Sequence, residues 1–192
     1  MSGRCGALLL AAGFSNRFGS IKLCARLNSG ETVFSQTLRR LRTAIDDVIV
    51  VTRPELAVAL APLTDTLHIF DKAEQGMGAS LAYAISLAGD WEGCLVCLAD
   101  MPFIQSETYS GLAQLTTSGQ IVLPRYNDRS GNPVGFGRDF FPELAELRGD
   151  HGGKPIIQAH PEAVTKVELA DPAILYDIDT PDDLTRLQAL AD

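Results

Sequence analysis

The sequence predicts an α/β fold in which a mostly parallel sheet is covered by helices on both faces. Three observations lead to this prediction. Short apolar runs alternate with amphipathic stretches, the first run (residues 6–11) is apolar throughout as strands buried on both faces are, and no repeat, low-complexity tract or linker divides the chain. We expect residues 1–192 to form a single domain with a sizeable core.

In the first half of the chain, strands and helices are predicted to alternate strictly. Val33, Leu38 and Leu41 recur at helical spacing within one stretch. Pro54 stands near the first position of another helix, where proline is tolerated. The predicted elements are strand 6–11, helix 32–44, strand 47–51, helix 54–61, strand 67–70, helix 78–87 and strand 93–98.

The second half mixes shorter strands with helices. Thr180 and Pro181 supply a cap and a first-turn proline for the last helix. The predicted elements are helix 106–115, strands 121–123 and 133–136, helices 138–147 and 153–160, strands 164–168 and 175–178, and helix 182–190. Because such sheets bind ligands at the carboxyl ends of their strands, the loops after strands one, three and four and the late loops should surround one cleft.

The composition is that of an ordinary globular protein with an acidic surface. Hydrophobic residues make up 46%, charged residues 21%, and the net charge is −8. This charge argues against nucleic acid as a partner, so an anionic ligand must be met by local cations. No apolar run reaches the roughly 20 residues that span a bilayer, and the first residues lack a secretory signal pattern. We therefore expect a cytoplasmic protein with no membrane partner.

Cys94 and Cys97 have the spacing of a redox or metal-binding pair. They lie inside a predicted strand, where residues three apart point to opposite faces. Redox pairs of this spacing sit instead at a helix N-terminus, and no second Cys or His pair has zinc spacing. We expect both to be ordinary buried cysteines.

The strand 6–11 leads into a glycine-bearing loop with two cations, which is a pattern suited to polyphosphate. Gly13 lets a ligand approach the backbone, Arg17 offers a planar fork for phosphate oxygens, and Lys22 offers a point charge. Gly13 and Gly19 enclose five residues and Lys22 follows three positions after Gly19, so the P-loop spacing is not met. The dinucleotide fingerprint also fails, because its third glycine is missing.

Residues 10–22 read L-A-A-G-x-S-x-R-x-G-x-x-K, which resembles the signature of the MobA-like NTP transferase family. The resemblance is greatest to the molybdenum cofactor cytidylyltransferase branch. It implies a three-layer α/β/α sandwich with a Rossmann-like, mostly parallel sheet of the nucleotide-diphospho-sugar transferase type. It also implies that this loop wraps a triphosphate. The nucleotide-binding residues would be Leu10, Ala11, Ala12, Gly13, Ser15, Arg17 and Lys22.

Asp100 comes directly after the predicted strand 93–98 and its flanking alanine, at the ligand-binding edge of the sheet. A carboxylate there could ligate Mg²⁺ or cap the next segment. The resemblance of Asp100-Met101-Pro102 to the family's metal site favours a ligand of Mg²⁺ or Mn²⁺. Residues 176–184 resemble the family's closing segment, in which Asp177 or Asp179 could be the second ligand; we prefer Asp179. Asp182 and Asp183 are expected only to begin the last helix.

Three further segments resemble the family's base-binding and acceptor-binding loops. Residues 75–81 place two glycines before a helix, which can form a polar site or an ordinary turn. The resemblance implies that this loop holds the nucleobase through Gly76, Met77, Gly78 and Ser80. Residues 125–133 and 149–154 resemble acceptor-side segments. Asn132, Asp150 and His151 are the candidate acceptor contacts there.

The resemblance implies an enzyme that moves a nucleoside monophosphate onto a phosphorylated acceptor and releases pyrophosphate. Arg17, Lys22 and Asp100 would be its catalytic residues. A Cβ at Ala12 would crowd a purine more than a pyrimidine, so we expect CTP as donor. The resemblance to the molybdopterin branch implies a molybdopterin-type acceptor and allows a molybdoenzyme partner. A sugar phosphate or another small phosphorylated metabolite is an alternative acceptor. A non-catalytic nucleotide-binding accessory protein is an alternative function.

Overall fold

The computed structural model describes residues 4–14 and 18–191, which contain one eight-stranded sheet. The strand order is β3-β2-β1-β4-β7-β5-β6, and β8 pairs with β5. The strands are β1 (Cys5–Ala11), β2 (Val48–Thr52), β3 (Leu67–Ile69), β4 (Gly93–Leu98), β5 (Ile121–Tyr126), β6 (Arg129–Ser130), β7 (Val134–Gly137) and β8 (Val164–Glu168).

The sheet is mostly parallel, as the sequence predicts. β1 runs parallel to β2 and β4, β2 to β3, and β5 to β8. β7 is antiparallel to both β4 and β5, and β6 returns antiparallel along β5. Asn127 and Asp128 join β5 to β6 with φ of 48° and 65°, which is the tight turn that matches the twist of a hairpin.

Helices cover both faces of the sheet and produce three layers. They are α1 (Val33–Ala44), α2 (Pro54–Leu60), α3 (Met77–Ile85), α4 (Ser106–Leu115), α5 (Phe141–Ala145), α6 (Lys154–Ala159) and α7 (Pro181–Ala191). One core cluster joins α1, α2, α4 and α7 to one face, and a second joins α3, α5 and α6 to the other. Successive residues of β1 enter the two clusters alternately, which explains why this strand is apolar at every position.

Capping residues set the ends of the helices that flank the site. The hydroxyl of Thr32 accepts from the Ser35 amide at 3.1 Å, and the Ser35 hydroxyl accepts from the Thr32 amide at 2.8 Å. Thr180 and Asp183 form the same reciprocal arrangement before α7. The predicted helix-start role of Thr180, Pro181 and Asp183 is therefore confirmed.

The two cysteines of β4 face opposite sides of the sheet. Cys94 belongs to the core cluster of α3, and Cys97 belongs to the cluster of α1. Both are buried, both are free thiols, and burial raises the pKa of each well above its ordinary value. The prediction of ordinary buried cysteines is confirmed.

Two predicted elements are wrong, and β5 is longer than the predicted strand 121–123. Residues 138–147 do not form one helix, because a 3₁₀ turn at Arg138–Phe140 precedes the short α5. Residues 175–178 do not form a strand. A 3₁₀ helix (Pro172–Leu175), begun by the Asp171 carboxylate that accepts from the Ala173 amide at 3.0 Å, ends at Leu175, and residues 176–178 lie in a loop. Among the described residues, no helix has the length and apolar character to cross a membrane.

Candidate functional site

A cavity of about 380 Å³ opens at the carboxyl ends of β1 and β4, where the loops after neighbouring parallel strands meet. Loop residues after β3 and residues near the start of α3 complete its wall. Many of the residues that the sequence singled out line this one cavity: Leu10, Ala11, Ala12, Gly13, Lys22, Gly76, Met77, Ser80, Asp100 and Asp150. Ser15 and Arg17 lie outside the described residues.

A buried lysine joins two carboxylates beside this cavity. Lys22 Nζ donates to Asp100 Oδ2 at 2.7 Å and to Asp179 Oδ1 at 3.2 Å. The Lys22 side chain is only 9% exposed, whereas those of Asp100 and Asp179 are 19% and 29% exposed. Burial by itself lowers the pKa of Lys22, but the two carboxylates outweigh it and the pKa is raised. The ammonium therefore remains protonated at neutral pH.

Asp100 has one carboxylate oxygen that Lys22 does not use. Its Oδ1 is buried and has no hydrogen-bond partner within the described part of the chain. Burial raises the pKa of Asp100, and the nearby Lys22 ammonium acts in the opposite direction. A buried oxygen without a partner beside a second carboxylate fits a divalent cation. No group of three His, Cys, Asp or Glu side chains in residues 4–14 and 18–191 is arranged to hold a metal ion, so further ligands would come from substrate phosphates and water, as is usual for Mg²⁺.

Helix α1 fixes the backbone that carries Asp100. Thr37 Oγ1 donates to the Ala99 carbonyl at 3.1 Å, and Gln36 Nε2 donates to the Pro102 carbonyl at 3.0 Å. On the far side, the Ile178 amide donates to the Asp100 carbonyl at 3.0 Å and so brings residues 176–180 against this loop. Asp179 thus reaches Lys22 from a loop and not from a strand. Asp177 is exposed, and its charge contributes to the raised pKa of Asp100.

The loop before α3 packs tightly against residues 149–150. The Gly78 amide donates to the Gly149 carbonyl at 2.6 Å. Gly76 has φ of 103°, and a Cβ there would overlap the carboxylate of Asp150. The Ser80 hydroxyl donates to the Gly76 carbonyl at 3.4 Å and is buried. The segment that resembles an acceptor loop therefore closes the same cavity as the segment that resembles a nucleobase loop.

The three candidate acceptor residues do not share one position in the structure. Asp150 lines the cavity. Asn132 and His151 are absent from its wall; the Asn132 amide donates to the Ile174 carbonyl at 2.9 Å, and the His151 side chain is exposed. An acceptor role for all three through this cavity does not fit that placement.

Residues 7–164 match the family described as the MobA-like NTP transferase domain. The chain belongs to this family. A MobA-like chain is a nucleotidyltransferase, and the family resemblance of residues 10–22 is confirmed. The match does not distinguish a cytidylyl from a guanylyl branch.

Relatives of this MobA-like chain cover almost its whole length. The purine catabolism protein PucB of Bacillus subtilis is 29% identical in an alignment 190 positions long that covers 92% of each chain. A probable molybdenum cofactor guanylyltransferase of Methanosarcina mazei is 24% identical and covers 94% of this chain and 88% of its own. The crystal structure of Rv0371c from Mycobacterium tuberculosis is 29% identical with a TM-score of 0.86, covering 98% of this chain and 99% of its own. A further structure of that protein is a complex with manganese.

The MobA-like site also contains residues that the sequence analysis missed. Phe14 and Glu74 line the cavity, and Arg53 contacts Phe14. Arg53 directly follows β2, just as Asp100 follows β4. Its position at the ligand-binding edge of the sheet is therefore a signal that the sequence contains. Gln36 and Thr37 are polar residues on the buried face of α1, which is the signal that could have identified them as supports of the Asp100 loop.

Proposed function

We propose that this chain transfers a nucleoside monophosphate from a nucleoside triphosphate to a phosphate-bearing acceptor. The observation that carries the proposal is the buried Lys22, which donates to both Asp100 and Asp179. Lys22 lines the same cavity as Gly13 of the loop after β1. An added Cβ on Gly13 would meet no atom of the described residues within 4 Å, so their packing does not require a glycine there. Space left open beside a fixed cation suits a phosphate chain.

The chemistry asks little of the protein beyond charge and position. An oxygen of the acceptor phosphate attacks the α-phosphorus, a new phosphorus–oxygen bond forms, and the bond to the bridging oxygen breaks. Pyrophosphate leaves with that electron pair. The acceptor oxygen is already an anion, so no side chain has to remove a proton. Lys22 keeps its charge at neutral pH and would stabilise the negative charge that develops on the transferred group.

Asp100 and Asp179 would hold the divalent cation, Mg²⁺ or Mn²⁺. When bound, such an ion supplies positive charge to the phosphate oxygens. Asp100 Oδ1 supports this role because it is buried and has no hydrogen-bond partner among the described residues. The manganese complex of the mycobacterial relative supports it as well. Arg17, which lies outside the described residues, is proposed as the second cation for the triphosphate.

The donor is proposed to be CTP. Ala12 is a buried part of the cavity wall, and its Cβ leaves less room for a purine than a glycine would. Three curated relatives carry the name probable molybdenum cofactor guanylyltransferase, so GTP is the competing donor.

The acceptor is proposed to be molybdopterin or a related phosphorylated pterin, with a molybdoenzyme as recipient of the product. The names of those three relatives support this choice. The name of the PucB relative refers to purine catabolism and not to a pterin. A sugar phosphate therefore belongs in the same test as an alternative acceptor.

The test is a matrix of donors and acceptors. The protein is incubated with Mg²⁺, one of the four nucleoside triphosphates, and either molybdenum cofactor, a sugar phosphate or no acceptor, and pyrophosphate is measured. The proposal predicts release with CTP and the pterin. Release with GTP but not CTP would contradict the donor assignment, and release only with the sugar phosphate would contradict the acceptor. Nucleotide binding without any release would indicate the accessory function.

A further inference from the structure

The strand order separates the two ends of the cavity. Along the sheet edge the order is β4, β1, β2 and β3, so Asp100 follows one strand and Arg53 follows a strand two positions away. Neighbouring strands lie about 4.8 Å apart, which puts these two strand ends roughly 10 Å apart. If the phosphates lie at Lys22 and Asp100, the base of the same nucleotide extends toward β2 and β3.

Phe14 and Arg53 form a stacked pair on that side. The guanidinium carbon of Arg53 lies 4.5 Å from the centroid of the Phe14 ring. Arg53 Nη1 donates to Glu55 Oε2 at 2.9 Å, and the Arg53 side chain is only 15% exposed, so the guanidinium is held in place. Arg53 Nε is buried and has no hydrogen-bond partner in residues 4–14 and 18–191.

The Phe14 ring is not needed for the core. It is 45% exposed and it lines the cavity, so the part of the ring that Arg53 does not cover faces the space where a ligand enters. A large aromatic side chain that is held on one side and open on the other is a surface for stacking a planar ring.

We propose that Phe14, held by Arg53, is a stacking platform for the nucleobase of the donor. The inference rests on the proposed function, because it takes the phosphate end of the cavity to be at Lys22. Every base has a π face, so the platform strengthens binding of pyrimidine and purine donors alike and does not select between them. Selection stays with other groups of the cavity wall, such as Ala12.

The test compares Phe14→Ala with wild type in titrations that contain Mg²⁺ but no acceptor. The ligands are CTP, GTP and inorganic tripolyphosphate. Loss of the stack should weaken CTP and GTP binding by about 5- to 150-fold and leave tripolyphosphate binding unchanged. Phe14→Tyr, which keeps the ring, should bind like wild type. Leu115→Ala is the matched control, because Leu115 is 44% exposed and is absent from the cavity wall.

The possible failures are distinguishable. A wild-type protein that binds no nucleotide contradicts the proposed function itself. A wild-type protein that binds both nucleotides, with a Phe14→Ala variant of equal affinity, contradicts only the stacking platform. The same holds if Phe14→Ala leaves nucleotide affinity unchanged and raises the KM of a pterin acceptor, since the ring would then stack on the acceptor. An equal loss for tripolyphosphate would also contradict the stacking platform, because the ring would then act on the phosphate end and not on the base.

Discussion

Replacing Lys22 by methionine should destabilise the fold, even though the lysine belongs to the site. Its ammonium donates hydrogen bonds to the carboxylates of Asp100 and Asp179, with N–O distances of 2.7 Å and 3.2 Å. Methionine has a similar volume and fills the same space, so the cavity cost is small. What remains is a buried Asp100 carboxylate without the cation that compensates it.

The magnitude follows from the burial of the three side chains. Breaking a fully buried ion pair by removing one partner costs about 3–5 kcal/mol. Solvent reaches 19% of the Asp100 side chain and 29% of that of Asp179, and hydration offsets part of the loss. We expect Lys22→Met to lower the free energy of unfolding by about 2–4 kcal/mol, a large fraction of the roughly 5–15 kcal/mol of a typical domain.

Urea unfolding at neutral pH with a chelator measures this value without metal compensation. Lys166→Met, which removes an exposed lysine of β8, is the control and should change the free energy of unfolding by less than about 0.5 kcal/mol. The double variant Lys22→Met/Asp100→Asn removes the uncompensated charge and should recover part of the loss. A Lys22→Met protein as stable as wild type, or a double variant no more stable than the single one, would refute the reasoning.

Three other predictions concern two glycines and a surface histidine. Gly13→Ala should leave the free energy of unfolding unchanged or raise it by about 0.4–1 kcal/mol, since the new Cβ meets no atom in the described part of the chain. The same change should weaken nucleotide binding, and a less stable variant with normal binding would contradict this. Gly76→Ala should cost about 2–4 kcal/mol in urea unfolding, because φ is 103° and the new Cβ overlaps Asp150; a fully stable variant would speak against the packing of that loop. The hydrogen bond that His160 donates to the Glu143 carboxylate raises the pKa of His160. This contact therefore stabilises the fold fully below the unfolded value of 6.5 and is lost as pH rises through the folded value. His160→Gln should therefore destabilise the protein more in acid than in mild alkali, and an equal loss at both pH values would contradict the sign.

The sequence predicted most of the first half of the fold, because its signals there are local. β1 is apolar at every position since both of its faces meet helices, and β4 has the bounds 93–98 that the sequence predicts. The sheet-edge rule correctly anticipated that the residues after β1, β3 and β4 would line one cavity.

The second half was harder because its elements depend on contacts between distant residues. Residues 175–178 carry strand-forming side chains, but Asp171 and Pro172 begin a 3₁₀ helix. The loop that follows is held by contacts with distant residues, among them the hydrogen bond from the Ile178 amide to the Asp100 carbonyl. The packing of Gly149 on Gly78 joins segments about seventy residues apart, and no local pattern encodes it. For the same reason no local pattern predicts the contact between Phe14 and Arg53, which lie in the loops after two different strands.

The central claim is that Lys22, Asp100 and Asp179 form a nucleotidyl-transfer centre. The direct measurement is single-turnover transfer of label from the α-phosphate of the donor to the acceptor, with wild type and three asparagine variants. The Asp100→Asn and Asp179→Asn variants should lose at least about 100-fold in rate, which is the usual effect of removing one group that stabilises transition-state charge. Asp182→Asn is the matched control, because Asp182 is exposed in the first turn of α7, and it should retain the wild-type rate. Transfer by Asp100→Asn at the wild-type rate would contradict the account.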